Sequence, residues 1–159
     1  MLTLVEHFNV VEALHPAADA AGRTSRYVSL KNAHRAWIVV HLDQGNAATV
    51  ALTPKQATAV AGTGSKVLTA AARIWANEDE AAADALARQA DATSFTTSAA
   101  LKHKRVVFEI EPAAMLDLAG GFDCIAITTG ASHAANITEA SFYLESRYPA
   151  AALPSAIVD

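Results

Sequence analysis

Lys104-Arg105-Val106-Val107-Phe108-Glu109-Ile110-Glu111 alternates apolar and polar side chains from Val107 onward, the two-residue period of a strand with one buried face. Gly120-Gly121 then breaks the chain, and Phe122-Asp123-Cys124-Ile125-Ala126-Ile127 restarts a strand pattern. A third run, Ser141-Phe142-Tyr143-Leu144, ends at Arg147-Tyr148-Pro149. Strand-like runs that reverse at such short intervals build an antiparallel β core. Upstream, Ala36-Trp37-Ile38-Val39-Val40-His41-Leu42 is the strongest strand signal, aromatic and β-branched and apolar on both faces until His41. Such a run suits a central strand buried on two sides. Asp43-Gln44-Gly45-Asn46 turns it into residues 48–53, which predicts a hairpin.

Residues 26–30, 67–69, 73–75 and the edge-like run 93–97 bring the count to about eight strands, as in a sandwich, jelly roll or small barrel. Residues 77–91 have helix-favouring composition but no apolar stripe. They read as a loop with a short strand near Leu86, with a helix as the alternative. The fold class is therefore all-β: an antiparallel β-sandwich or jelly-roll-like single domain with extended N- and C-terminal arms. Its parts are an arm at 1–25, a β domain at 26–148 and a tail at 149–159. In the arm, Leu4, Phe8, Val11 and Leu14 share one face of a short helix that Pro16 ends. The tail is apolar and needs a surface to lie on. Leu4, Phe8, Val11, Leu153, Ile157 and Val158 are the expected partner interface.

With 159 residues the chain is long enough to bury roughly two-thirds of its unfolded surface. Hydrophobic residues make up 52%, much of it alanine, and charged residues 18%. Low charge density fits a surface partly covered by partners, and an alanine-rich genome gives the same bias. A net charge of −4, with no basic run beyond Lys102-His103-Lys104-Arg105, argues against nucleic-acid binding, which needs a concentrated positive face. No apolar run approaches the ~20 residues that span a bilayer. Glu6 and His7 stand where a signal peptide carries basic and then apolar residues, so cytoplasmic synthesis is expected. Cys124 is the single cysteine, inside a strand pattern, and reads as a buried small hydrophobe.

The candidate chemical motifs each have a simpler reading. Gly62-Thr63-Gly64-Ser65-Lys66 lacks the spacing of a phosphate loop, since Ser65 separates Gly64 from Lys66, and it reads as a hairpin loop. His7, His15, His34, His41, His103 and His133 show no paired metal-ligand spacing. Glu78, Asp79, Glu80 and Asp84 lack the alternating Gly and Asn of a calcium loop and read as a solvated segment. Ser29, Ser132 and Ser141 have no nucleophile-elbow context. Glu109 and Glu111 share a strand face opposite Phe108 and Ile110, which fits a charged solvent face better than an acid–base pair. Asn136-Ile137-Thr138 matches a glycosylation triplet without a secretory signal. Trp37 and Trp75 read as core anchors, with interface anchors as the minority alternative.

Taken in order, Glu6-His7-Phe8, Tyr27-Val28-Ser29-Leu30-Lys31-Asn32, Ala61-Gly62-Thr63-Gly64, Gly121-Phe122-Asp123-Cys124 and Arg147-Tyr148-Pro149 resemble a group of small tailed-phage and prophage virion proteins. The resemblance runs through most of the chain, in short motifs without chemical meaning. It implies a structural phage head protein, a decoration (cement) protein above all, with a head–tail connector or tail protein as the alternative. The implied partners are the major capsid protein and further copies of this chain, and the implied location is the virion, assembled in the host cytoplasm. No catalytic, cofactor or metal residue is carried over, and no enzyme activity, cofactor, nucleic-acid partner or membrane partner is expected. The alternative from another class, a carbohydrate-binding β module, needs an aromatic cleft that 6% aromatic residues hardly build.

Overall fold

Alternation becomes architecture through register. The computed structural model describes residues 3–159; residues 1 and 2 of the expected arm lie outside the described residues. A one-turn helix α1 (Leu4–His7) leads into β1 (Phe8–Ala18), β2 (Arg23–Thr24), β3 (Val28–Ser29), β4 (Ala33–Gln44), β5 (Ala51–Ala57), β6 (Lys66–Val67) and β7 (Arg73–Asn77). Then come β8 (Ala87–Arg88), β9 (Phe95–Thr96), β10 (His103–Ile110), a second one-turn helix α2 (Pro112–Met115), β11 (Cys124–Thr129) and β12 (Asn136–Ser146). The first sheet runs β1-β12-β4-β10-β7-β8. In the second, β11 and β5 pair along their length, and short strands patch both edges: β2 and β3 on β11, β6 and β9 on β5. Every pairing is antiparallel. Pro54, which has no amide to donate, falls between the two short segments on the β5 edge.

The sheets stack with Ile38, Val40, Phe108 and Phe142 of the first against a second-sheet face that includes Leu52, Ile125 and Ile127, all at most 1% exposed. Burying each such side chain contributes about 1.5–3 kcal/mol. The all-β antiparallel sandwich read from the sequence is the observed fold. Residues 87–88 pair with β7, so the helix alternative for residues 77–91 falls away and the short strand near Leu86 stands.

Four expectations are corrected. Residues 8–18 are not a helical arm but the edge strand β1, hydrogen-bonded to β12; only Leu4–His7 is helical. A lone helix of that length is marginal in water, and the open edge of β12 offers Val10 and Val11 a full ladder. Pro16 is accommodated at a bulge between Leu14 and Ala17. Second, β4 and β5 form no hairpin, because β4 takes β12 and β10 as neighbours and the link 45–50 crosses to the other sheet. Gly45 passes so close to Ala135 that a Cβ there would lie 2.6 Å from its carbonyl oxygen. Third, β4 is buried on one face only, since Trp37 and Val39 are half-buried on the outside. Fourth, Trp75 is likewise half-buried, so neither tryptophan is an inner core anchor.

Phe142→Ala is expected to cost about 3–5 kcal/mol in chemical unfolding. Trp37→Ala, on the half-buried face, should cost less than half as much. Equal losses would show that Trp37 packs as a core residue.

Candidate functional site

Three regions gather the polar and exposed apolar chemistry of the molecule. The first is a buried polar belt closing one end of the sandwich. Lys104, Gln44, Asn136 and Thr138 occupy inward positions at the ends of their strands and are at most 1% exposed. The Lys104 Nζ donates to Gln44 Oε1 at 2.9 Å, to the Ser98 carbonyl at 2.7 Å and to Ser98 Oγ at 3.0 Å. Burial pushes its amine below the usual 10.5, with the Glu78 carboxylate opposing that shift. Thr97 Oγ1 also donates to Gln44 Oε1, joining the second sheet to the node. Beside it, the fully buried Asp19 accepts from Arg23 Nε at 3.0 Å, from Thr129 Oγ1 at 2.9 Å and from Thr138 Oγ1. Thr129 belongs to β11 and Thr138 to β12, so one carboxylate ties the two sheets together.

The second region is the outer face of the first sheet, where two charge networks flank an apolar centre. Glu109 lies 3.3 Å from Arg35 Nη1 and 3.2 Å from Arg73 Nη1, while Glu111 pairs with the same two guanidinium groups at 3.5 and 3.7 Å. The carboxylate pair singled out from sequence is therefore an ion lattice across β4, β10 and β7. Farther along, the acidic cluster and the basic run neutralise each other: Asp79 meets Lys102 at 2.9 Å and Glu80 meets Arg105 at 2.8 Å, while Glu78 reaches the inward Lys104 of the belt at 3.8 Å. The Lys102 hydrogen bond holds the Asp79 carboxyl below its usual range. His41 accepts from Arg105 Nε at 2.9 Å and faces Glu139 through Nδ1 at 2.9 Å, which puts the ring proton on Nδ1. Between these networks lies a shallow apolar depression lined by Leu4, Phe8, Trp37, Val39, Val107 and Tyr143.

The third region is the end of the sandwich opposite the belt, where α1 and the C-terminal tail lie. Ser29 of β3 pairs with Cys124 of β11, and Leu30 N–H donates to the Asp123 carbonyl at 2.8 Å. Gly62, at a φ of +80° that favours glycine, lies under the Tyr27 ring, where a Cβ would come within 2.8 Å. Lys66 sits over the Phe122 ring at 3.8 Å and pairs with Asp117 at 2.7 Å. Arg147 N–H donates to the Asn32 carbonyl at 2.9 Å, and Ala150 N–H to the Glu6 carbonyl at 3.2 Å. Residues from all five motifs quoted for the resemblance thus meet at one end of the fold. The tail lies over this end rather than projecting: Pro154 O accepts from Asn9 Nδ2, Ala156 O from Ser29 N–H, and the Asp159 carboxylate from Val60 N–H. Cys124 is buried beneath it, and burial, with the neighbouring Asp123, pushes its thiol up to about 12.

The six interface residues expected from sequence do not form one surface. Leu4 and Phe8 line the outer-face depression, whereas Val11 points inward against the core. Leu153 is half-buried, and Ile157 and Val158 are exposed at the terminal end. Gly62-Thr63-Gly64 is the loop of the β5–β6 hairpin. Asn136 of the glycosylation triplet is fully buried, with Nδ2 donating to Ala48 O and Ser132 Oγ. No group of three or more His, Cys, Asp or Glu able to hold a metal occurs among the described residues. No helix of the described residues is long and apolar enough to cross a membrane. The belt was missed at the sequence level. Its signal was parity: Lys104 keeps step with Val106 and Phe108, and Gln44 with Leu42 and Val40.

The fold and its surfaces define an antiparallel β-sandwich with one polar-sealed end and one end covered by α1 and the C-terminal tail. No protein-family model matches the chain. No curated protein matches it. Among solved structures it is similar to the crystal structure of SPBc2 prophage-derived protein YomS, with 6% sequence identity and a TM-score of 0.48, over 87% of this chain and 93% of that one.

Asp19→Ala is expected to cost about 3–5 kcal/mol, because it removes the buried carboxylate that Arg23, Thr129 and Thr138 share; a loss below 1 kcal/mol would make the node incidental. Lys104→Met should stay within about 1.5 kcal/mol of wild type, since Gln44 Oε1 and Ser98 O each keep a second donor. The pH dependence separates the two buried groups. Lys104 binds its proton less tightly folded than unfolded, so its share of stability rises with pH from its lowered folded value toward 10.5. Lys104→Met should flatten that rise, and an unchanged alkaline limb in urea titrations would refute it. Cys124 acts oppositely: its share is full below 9.0 and falls as pH climbs to about 12. At about pH 8 its thiol should resist a disulfide reagent in the native protein and react faster once residues 149–159 are removed.

Proposed function

We propose that this chain is a non-enzymatic structural protein of a phage particle, specifically a decoration protein that sits on the capsid shell. The observation that carries the reading is the terminal end of the sandwich. Five sequence motifs that resemble tailed-phage virion proteins converge there from positions as far apart as Glu6 and Pro149. The same end presents exposed apolar side chains on a base held by backbone hydrogen bonds. Tyr148 is 81% exposed, Val158 63% and Ile157 46%. Apolar groups fixed on a rigid base gain burial on a partner without a large ordering cost. Repeated over a closed shell, modest contacts of this kind add up through multivalency.

Tyr148→Asp with Val158→Asp places charge on that end without touching the inner core. In co-sedimentation with particles that lack the chain, this variant should bind at least about tenfold more weakly while melting like wild type. Unchanged binding would remove the terminal end from the contact. No binding of the wild-type chain to particles would overturn the decoration reading itself.

A further inference from the structure

The outer face of the first sheet carries a second surface. A single row of register partners crosses it from edge to edge: Glu12, Ser141, Val39, Val107, Trp75 and Arg88. The row carries Glu12 at one edge and Arg88, which also pairs with Asp91 of its own chain, at the other, and is largely apolar between. The neighbouring rows are mixed at their centre, where Glu109 and Glu111 pair with Arg35 and Arg73, and the edges differ in sign. Outward positions of β1 and β12 hold Glu12, Glu139 and Glu145 with no Lys or Arg, and those of β7 and β8 hold Arg73 and Arg88 with no carboxylate. The centre is the depression around Trp37 and Val39, with Val10 exposed beside it.

We propose that this face is a dimerisation surface, on which a second copy of the chain docks about a two-fold axis running along the strands. A two-fold that relates two faces pressed together lies in the plane of contact. Along the strands, it reverses strand order across the interface, so β1 lies over β8, β12 over β7 and β4 over β10. The row then meets its own reversal. Glu12 faces Arg88 of the second copy, Val39 faces its Val107, and Tyr143 of the next row faces its Arg73. Each contact occurs twice. An axis across the strands instead sets β1 on β1 and β8 on β8, acid on acid and base on base, which is unfavourable. Charge therefore selects the first axis, and aligned packing of two twisted sheets accommodates it. Trp37, Trp75, Phe8 and Tyr143 are the residue types that concentrate in the centres of such interfaces. The terminal end stays free in this dimer, so one pair presents two particle-docking ends.

Sedimentation velocity of the purified chain over a concentration series tests the proposal. The wild type should sediment as a dimer that dissociates on dilution. Val39→Lys should give a monomer with an unchanged far-ultraviolet spectrum. Glu12→Arg and Arg88→Glu should each weaken dimerisation about tenfold, and the double variant should regain it, because the exchanged charges meet again across the two-fold. Both residues of this swap are exposed, so it remains decisive if Val39→Lys fails to fold. A wild-type monomer at every concentration overturns the proposal and leaves the particle reading standing. A dimer that persists in Val39→Lys, or a double variant no tighter than the singles, overturns it as well.

Discussion

Everything else in this molecule depends on two sheets burying their inner faces against each other. Ile38, Phe108 and Phe142 meet a second sheet that carries Leu52, Ile125 and Ile127, and that contact fixes which side of every strand is inside. A slip of one residue in β10 would turn Val106, Phe108 and Ile110 outward and bring Glu109 and Arg105 in. Register is therefore determined by the core. The ends of the sandwich then need separate solutions, because strands outrun the apolar interface. At one end, Asp19, Lys104, Gln44 and Asn136 each find hydrogen-bond partners while buried, so their desolvation is offset rather than avoided. At the other, the chain's own tail is laid across the opening and holds Cys124 out of solvent.

The parts of the fold visible in the sequence are those governed by local alternation. Lys104 to Glu111 and Phe122 to Ile127 read as strands because their inward and outward residues differ in chemistry, and both are strands in the fold. The parts that were not visible depend on partners far along the chain. Leu4, Phe8, Val11 and Leu14 have helical spacing, yet β12 offers residues 8–18 an edge that no local pattern reveals. Residues 43–46 have the composition of a hairpin turn, but the choice between turning within a sheet and crossing to the other depends on where β10 and β12 dock. The belt was legible in principle through the parity of Lys104 and Gln44. It was obscured because a lysine in a basic run is ordinarily solvated. The acidic cluster and the basic run likewise gain meaning only together, as counter-ions across adjacent elements.

Two surfaces with different physics follow from this arrangement. The terminal end is apolar and rests on backbone hydrogen bonds among segments distant in sequence. The outer face of the first sheet is apolar at its centre, with glutamates on β1 and β12 at one side and the ion-paired Arg73 and Arg88 at the other. Its ion lattice of Arg35, Glu109, Arg73 and Glu111 stiffens three strands, which favours rigid docking.

Cryo-electron microscopy of particles released by cells that carry the gene for this chain, with mass-spectrometric copy counting, tests the particle reading most directly. The account predicts many copies over the outer shell, each with Tyr148 and Val158 against capsid subunits. A single ring at one vertex, or particles without the chain, would contradict it.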